Sequence, residues 1–213
     1  KLGLVIVNTN PMYTHRELVH QFNDSGAKAV VVLDQFYDTL QAALPETGIE
    51  HVVVTRAIDL LPQPKKSLLT AVTKVLGKRP RLPAKGIVGF NDMLVAKSAY
   101  PLHTPGYDDI TALQYTGGTT GVSKGVMLTQ GSLMSNVAQT MAMVSVGGRS
   151  VTHFTTVSPL PLYHIYAWML NMGLMPATRG HSVLIPDPRN IPMFVGAIKS
   201  LKFEIFCGLN SLF

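Results

Sequence analysis

Cysteine is almost absent from this sequence of 213 residues, which contains only Cys207. An internal disulfide is therefore impossible, and a reducing compartment such as the cytoplasm is the natural location. No apolar run approaches the roughly 18–20 residues needed to cross a bilayer. A signal peptide is not expected either, because no basic start, apolar stretch and small-residue cleavage site occur in succession. These absences predict a cytoplasmic protein.

Acidic residues are also scarce: 12 Asp and Glu stand against 18 Lys and Arg, for a net charge of +6. The excess is local, because the stretch between Asp59 and Asp92 contains no acid. Its basic residues are Lys65, Lys66, Lys74, Lys78, Arg79, Arg81 and Lys85. No aromatic residue lies among these charges to stack bases, so nucleic acid is not an expected partner.

This basic segment, residues 65–85, has two interpretations. It is either a solvated surface segment, as charge runs usually are, or a helix lying on a membrane surface. The first interpretation is the more common one, whereas apolar residues at helical spacing with cations at both ends are the pattern of the second, which implies peripheral contact with the inner face of the membrane. These apolar residues are Leu68, Leu69, Val72, Val75 and Leu76.

Short apolar strands alternate with helical patterns throughout the chain, in which 46% of the residues are hydrophobic. "GLVIVN", "AVVVL" and "HVVVT" are separated by helices, the first marked by a capping box of Thr14 and Glu17 and ended by Gly26. This rhythm predicts an α/β fold of layered α/β/α sheets.

We place a boundary between two subdomains near Pro105, which gives two partial subdomains of residues 1–105 and 106–213. Because the chain opens and closes on apolar strand patterns, both ends are expected to be truncated.

One loop carries the chemistry: "LQYTGGTTGVSKGVMLT", Leu113–Thr129, surrounds a single Lys124 with glycines and hydroxyls. Glycines let several backbone N–H groups converge on one anion, and a lysine adds a mobile positive charge suited to phosphate. It is not a Walker A loop, since Gly125 follows the lysine, and the glycine spacing does not fit a dinucleotide fingerprint. A polyphosphate loop between two strands remains, with a plain glycine-rich turn as the alternative.

Two stretches make the resemblance specific. "YTGGTTGVSKGV" resembles the phosphate loop of the adenylate-forming enzymes, and "PLPLYHIYAW" is similar to the motif that follows it in that superfamily. The flanking text resembles bacterial long-chain fatty-acid–CoA ligases over nearly the whole chain. Gly117 stands where many superfamily members carry Ser, but these ligases commonly share the glycine. The resemblance implies part of the large N-terminal domain of an acyl-CoA synthetase.

The same resemblance implies ATP-dependent activation of a long-chain fatty acid to acyl-adenylate and then acyl-CoA, with Mg²⁺ and coenzyme A. It implies catalytic roles for Lys124, Thr119 and His164, and acyl-site roles for His164, Trp168 and Gly208. No protein metal ligand is assigned. The full-length enzyme is expected to form a homodimer. The implied ATP-binding residues are Tyr115, Thr116, Gly117, Gly118, Thr119, Thr120, Gly121, Val122, Ser123, Lys124, Gly125 and Val126.

Each candidate also has a plainer interpretation. The alternative role is that of a core histidine for His164, a packing residue for Trp168 and a turn glycine for Gly208. Cys207 is expected to be a small buried hydrophobe.

Two other functions stay open: a related ligase for another carboxylic acid, and a noncatalytic module that binds anions or membranes. Superfamily motifs for adenine, ribose and the C-terminal catalytic lysine do not occur in the chain. We therefore expect these 213 residues alone to lack ligase activity.

Overall fold

The computed structural model describes residues 2–75, 82, 86–95, 99–116, 122–145 and 152–209. Strands and helices alternate along the chain. The strands are β1 (Ile6–Asn8), β2 (Ala29–Leu33), β3 (His51–Thr55), β4 (Val88–Gly89), β5 (Ile110–Thr116), β6 (Lys124–Thr129), β7 (Thr155–Ser158), β8 (His181–Leu184) and β9 (Ile205–Phe206). The helices are α1 (His15–Ser25), α2 (Tyr37–Ala43), α3 (Lys65–Val75), α4 (Phe90–Val95), α5 (Gln130–Val144), α6 (Ile165–Trp168), α7 (Met175–Thr178) and α8 (Ile191–Lys199).

The described strands form three small sheets. The first has the order β1-β5-β6, the second β2-β3-β4 and the third β8-β7-β9. All neighbours are parallel except β5 and β6, which form an antiparallel hairpin. Parallel strands joined through helices are the expected outcome of the sequence rhythm. The predicted α/β fold class is confirmed.

Helix α1 begins and ends where the sequence predicts. The Thr14 backbone N–H donates to Glu17 Oε2 over 2.7 Å, which completes one half of the capping box. Gly26 ends the helix with φ of 65°, a left-handed conformation that glycine adopts without steric cost. On the buried face, Leu18 and Phe22 pack over the valine-rich β2 and β3 to form the first core.

The second half of the chain builds its core around β7. Val157, in the middle of that strand, is fully buried and packs against Ile185 and Phe194. On the other side lies a cluster that includes Cys207, whose side chain is 9% exposed, as expected for a small buried hydrophobe. Its other members are Phe154, Leu170, Leu174 and Met175.

Between α6 and α7 the chain forms one π-helical segment, Met169–Leu174. Asn171 lies in this segment and is buried, with Nδ2 donating to Ser158 Oγ over 3.0 Å and to the Ala167 carbonyl over 2.7 Å. Its Oδ1 accepts from the Ser182 hydroxyl. The segment is therefore tied by side-chain hydrogen bonds to both β7 and β8, which fixes the end of α6.

The sheet β1-β5-β6 joins a strand from the predicted first subdomain to two strands from the predicted second. The boundary near Pro105 stays a prediction.

Within the described ranges, no helix combines the length and apolar character required to cross a membrane.

Candidate functional site

The β5–β6 hairpin carries the predicted phosphate loop. Tyr115 pairs with Gly125, and Thr116 pairs with Lys124, so the loop leaves β5 after Thr116 and returns at the first residue of β6. The side chain of Lys124 is exposed and forms no ion pair in the described part of the chain. The tip of the predicted loop lies outside the described residues: Gly117, Gly118, Thr119, Thr120 and Gly121.

Tyr115 forms the first anchor of the hairpin. Its side chain is 7% exposed, and its hydroxyl donates to Asp24 Oδ2 of α1 over 2.5 Å. Burial first, and then the bond to the Asp24 carboxylate, raise the pKa of Tyr115 well above its usual value. The phenol is therefore neutral at physiological pH and its proton is committed to Asp24. The ring also covers Gly125, where an added Cβ would come within 3.0 Å of it.

The second anchor lies on the returning side of the loop. His20 Nε2 is 2.9 Å from the backbone carbonyl of Ser123. A carbonyl can only accept a hydrogen bond, so Nε2 must carry the proton. The His20 ring also meets the Tyr115 ring edge-on, with centroids 6.5 Å apart and an interplanar angle of 87°. Val122 is exposed, and Ser123 is half-buried beside Lys124.

His164 lies at the surface, so it is not a buried core histidine. Its backbone is extended, and its Nδ1 accepts from the Tyr166 N–H over 3.4 Å as the N-cap of α6. This bond orients the ring, and Nε2 has no hydrogen-bond partner within the described part of the chain. A neutral imidazole held in this way can donate from Nε2 to an anion.

Trp168 is half-buried and lines a cleft of about 840 Å³ together with Leu162, Tyr163 and Met172. Residues of β1 and Val31 of β2 form the opposite wall. Among the described residues, neither Lys124 nor Gly208 lines this cleft. Gly208 is half-buried and lies just after β9. The structure therefore brings Trp168 to a mostly apolar cleft, and it places His164 and Gly208 outside the described lining of that cleft.

A polar chain connects the two motifs. Gln114 of β5 donates from Nε2 to the Tyr163 carbonyl over 3.1 Å and accepts from Asn8 Nδ2 over 3.1 Å. The fully buried Gln21 of α1 continues the chain by donating to the Asn8 carbonyl and to Thr9 Oγ1. The strand before the phosphate loop is therefore bonded directly to the residue that precedes His164.

Sequence reasoning did not identify His20, Gln21, Asp24 and Gln114. A signal was present for two of them: Gln114 interrupts the apolar pattern of β5, and Gln21 lies on the same face of α1 as Leu18 and Phe22. A polar residue at a position that the pattern assigns to the core must find a partner there. Nothing local distinguishes His20 and Asp24 from ordinary surface residues.

Within the described ranges, no group of three or more His, Cys, Asp or Glu side chains is arranged to hold a metal ion. Hydroxyl groups and one lysine are the polar side chains that the hairpin offers next to the loop. These groups suit an anionic ligand that binds together with its counter-ion.

The whole chain, residues 1–213, matches the family model described as "AMP-binding enzyme". It is 39% identical over 218 residues to a long-chain-fatty-acid–CoA ligase of Haemophilus influenzae, covering 100% of this chain and 39% of that protein. The identity is 37% over 222 residues to a long-chain-fatty-acid–CoA ligase of Escherichia coli O157:H7, with coverages of 100% and 38%. The chain thus spans about two fifths of the length of the curated relatives that it matches.

Solved structures agree on the fold. The ATP-bound crystal structure of MatB from Rhodopseudomonas palustris superposes with a TM-score of 0.64 at 23% identity, covering 98% of this chain and 35% of that one. At this level of identity the match concerns the arrangement of strands and helices.

Proposed function

The chain belongs to the AMP-binding enzyme family, and from this premise we propose that the full-length protein uses ATP to activate long-chain fatty acids. The first product is an acyl-adenylate and the second an acyl-CoA. Support comes from the 36–39% identity, over the whole chain, to bacterial long-chain-fatty-acid–CoA ligases. The observation in the structure that carries the proposal is the exposed Lys124 at the loop end of the β5–β6 hairpin, where both sides of the loop are bonded to α1.

The first step joins two anions. An oxygen of the fatty-acid carboxylate attacks the α-phosphorus of ATP, and the bond from that phosphorus to the bridging oxygen breaks as pyrophosphate leaves. Electrostatic repulsion opposes this approach, so catalysis has to come from neutralising phosphate charge and from alignment. Lys124 and the hydroxyls of Thr116 and Ser123 are the described groups that would hold the departing phosphates.

In the second step, the sulfur of the coenzyme A thiol attacks the acyl carbon, the bond from that carbon to the phosphate oxygen of AMP breaks, and the thiol proton passes to solvent. The substrate would be the magnesium complex of ATP, in which the metal ion offsets part of the phosphate charge. His164 would donate from Nε2 to the carboxylate or to the α-phosphate, since its Nδ1 already accepts from the Tyr166 N–H. Trp168 would line the entry of the alkyl chain, on the apolar side of the cleft.

Pyrophosphate exchange tests this proposal on the full-length protein. With palmitate and ATP we expect incorporation of labelled pyrophosphate into ATP, and Lys124→Ala should slow it by about 10²-fold, as expected for loss of one charge-stabilising donor. The matched control is Lys199→Ala, at an exposed lysine in the last turn of α8. If Lys124→Ala exchanges as fast as the wild type, the lysine does not hold the phosphates.

A related ligase that acts on another carboxylic acid is the second candidate. The mostly apolar cleft beside Trp168 and Met172 favours an alkyl chain, but its described lining does not set a length. A panel of acids from acetate to stearate, with benzoate and 4-coumarate, would separate the two. A kcat/KM that peaks on an aromatic acid would contradict the assignment to long-chain acids.

Contact with a membrane through α3 is a further part of the proposal. On this helix, Leu68 is 66% exposed, and Leu69 and Val72 are also exposed, next to Lys65. An apolar face that no described residue covers, with cations on either side of it in the sequence, suits the surface of an anionic bilayer. The remaining cations of the segment, Lys78 to Lys85, lie outside the described residues.

Flotation with phosphatidylglycerol vesicles tests this contact. The double variant Leu68→Asp/Val72→Asp should lose most of the vesicle-bound fraction, whereas Leu60→Asp should not, because Leu60 is just as exposed but lies outside α3. Equal binding of both variants would locate the membrane contact elsewhere.

The expected homodimer of the full-length enzyme stays a prediction. Light scattering tests it by measuring the molar mass of the protein in solution.

A further inference from the structure

We propose that His20 and Asp24 of α1 are positioning residues of the phosphate loop, because they hold its two ends and so determine where Lys124 meets the nucleotide. This inference rests on the proposed function. It assigns a role in ATP binding to a helix that contains none of the motif residues. The two side chains make their contacts more than 90 residues away along the chain.

His20 and Asp24 hold the loop at two points, and this pair of side chains is called the clamp. His20 and Asp24 are one helical turn apart and lie on the same side of α1, with about 5–6 Å expected between their Cβ atoms. Asp24 accepts from the hydroxyl of Tyr115, the residue before Thr116 at the end of β5. His20 donates to the carbonyl of Ser123, the residue immediately before Lys124. The two contacts therefore bracket the loop.

Helix α1 is itself firmly held, and this makes it suitable as a reference. The face of α1 that is opposite to His20 and Asp24 buries Leu18 and Phe22 in the first core. Gln21, which is buried with them, donates to the carbonyl of Asn8 in β1 and to Thr9 Oγ1 just after that strand. Groups that bind phosphates are effective only when held close to the productive geometry, and buried hydrogen bonds are the usual means of doing so. The clamp transmits the rigidity of α1 to both sides of the loop.

The bond of Tyr115 to Asp24 is strong for its type, because a carboxylate is the acceptor and the phenol is buried. Burial and the Asp24 carboxylate both raise the pKa of Tyr115, so the phenol keeps the proton that it donates. The bond of His20 requires only a proton on Nε2, which either the neutral or the charged ring supplies. Both anchors therefore persist across the physiological pH range.

Steady-state kinetics of the full-length protein test the role. His20→Ala and Asp24→Ala should each lower kcat/KM for ATP by about 10- to 100-fold, the scale of a small misplacement of binding groups, with less than about a 2-fold change in KM for the fatty acid. His20→Gln and Asp24→Asn, which retain a donor and an acceptor respectively, should recover most of the loss.

Matched controls come from the same part of the fold. His15→Ala removes a histidine of α1 whose contact is Glu46, away from the loop. Asp38→Ala removes an exposed carboxylate from the neighbouring α2. Both should leave KM for ATP within about 2-fold, since surface changes of this type have small effects.

A double-mutant cycle isolates the contact itself. Tyr115→Phe removes the hydroxyl and keeps the ring, so it should reproduce the loss of Asp24→Ala, and the two changes together should cost no more than either alone. This variant also serves if Asp24→Ala fails to fold. Additive losses would mean that Tyr115 and Asp24 act separately, which would overturn the proposal.

A purely structural role would look different. If the alanine variants lower the melting temperature but leave KM for ATP unchanged, or change KM for both substrates equally, the positioning role is wrong.

If the wild type activates no acid, the proposed function is wrong and the positioning role needs a test that does not depend on it. In that case calorimetric titration with ATP still decides the matter: equal Kd values for wild type and Asp24→Ala overturn the clamp, and weaker binding by the variant supports it.

Discussion

Gln114 donates a hydrogen bond over 3.1 Å to the backbone carbonyl of Tyr163, 49 residues further along the chain. The same side chain accepts from Asn8, so one buried amide holds together β1, β5 and the segment that leads into His164. The strand that leads into the predicted phosphate loop is therefore joined to the residue before His164 by Gln114, which lies outside the two stretches "YTGGTTGVSKGV" and "PLPLYHIYAW".

Replacing Gln114 tests this junction. Gln114→Leu should lower the free energy of unfolding by about 1–3 kcal/mol, because the Asn8 amide and the Tyr163 carbonyl lose their partner in a largely buried place. Thermal unfolding of the full-length protein measures the loss. Gln41→Leu, at an exposed position of α2, is the control and should stay within about 0.5 kcal/mol. A Gln114→Leu protein as stable as wild type would mean that water replaces the amide.

Gly125 is required by the tyrosine that covers it. Since an added Cβ would come within 3.0 Å of the Tyr115 ring, Gly125→Ala should push the ring away from Asp24 and destabilise the protein by about 1–3 kcal/mol. In Gly48→Ala the nearest atom, Lys28 Nζ, is 3.9 Å away, so that control should be nearly neutral. Chemical denaturation measures both. If the effect of Gly125→Ala persists in a Tyr115→Ala background, the tyrosine is not its cause.

Asn171 should be sensitive to substitution for a different reason. Its amide donates to Ser158 and to the Ala167 carbonyl in the buried interior, and its oxygen accepts from the half-buried Ser182. Asn171→Ala leaves these groups unpaired and should lower the free energy of unfolding by about 1–3 kcal/mol.

The control for Asn171 is Asn136→Ala on the exposed face of α5, which should be neutral or slightly stabilising because alanine has the higher helix propensity. Hydrogen exchange of the α6 and π-helical amides should rise in Asn171→Ala and not in the control. Unchanged exchange there would show that packing alone holds the segment.

Several strands and the first helix could be predicted from the sequence because their signals are local. The valine runs of β2 and β3 and the capping box of Thr14 and Glu17 are complete within a few residues. The pairing of β1 with β5 has no such signal, since it joins residues more than 100 positions apart and depends on how the layers pack. The π-helical segment Met169–Leu174 has no local signal of its own either, because its apolar pattern does not distinguish it from an ordinary α-helix.

The candidate site shows the same division. Lys124 and His164 belong to motifs that are contiguous in the sequence, and a contiguous motif can be recognised by its residue types and spacing. Asp24 and His20 act through contacts with Tyr115 and Ser123 that span 91 and 103 residues. Such contacts exist only after the sheets have assembled, so residue type alone did not single out either side chain.

Alkaline pH provides a test of the Tyr115 anchor with a defined sign. Because burial and Asp24 raise the pKa of Tyr115 in the folded protein, the folded state keeps its proton where the unfolded state, with a pKa near 10, loses it. Stability from this group is fully present below about pH 10 and declines as pH rises further, by up to about 1.4 kcal/mol per pH unit. Tyr115→Phe should therefore show a shallower loss of melting temperature between pH 9 and 11.

The control for this titration is Tyr100→Phe, which removes a tyrosine that is 60% exposed. It should follow the wild-type curve, because removing a hydroxyl that already lies in water leaves the bond between Tyr115 and Asp24 intact. Below pH 9, Tyr115→Phe should be the less stable protein, since it lacks the bond to Asp24. The two curves should therefore converge as pH rises. Melting temperatures that stay parallel from pH 7 to 11 would contradict this prediction. They would mean that the Tyr115 phenol ionises as readily in the folded protein as in the unfolded chain, and that Asp24 does not help Tyr115 to retain its proton.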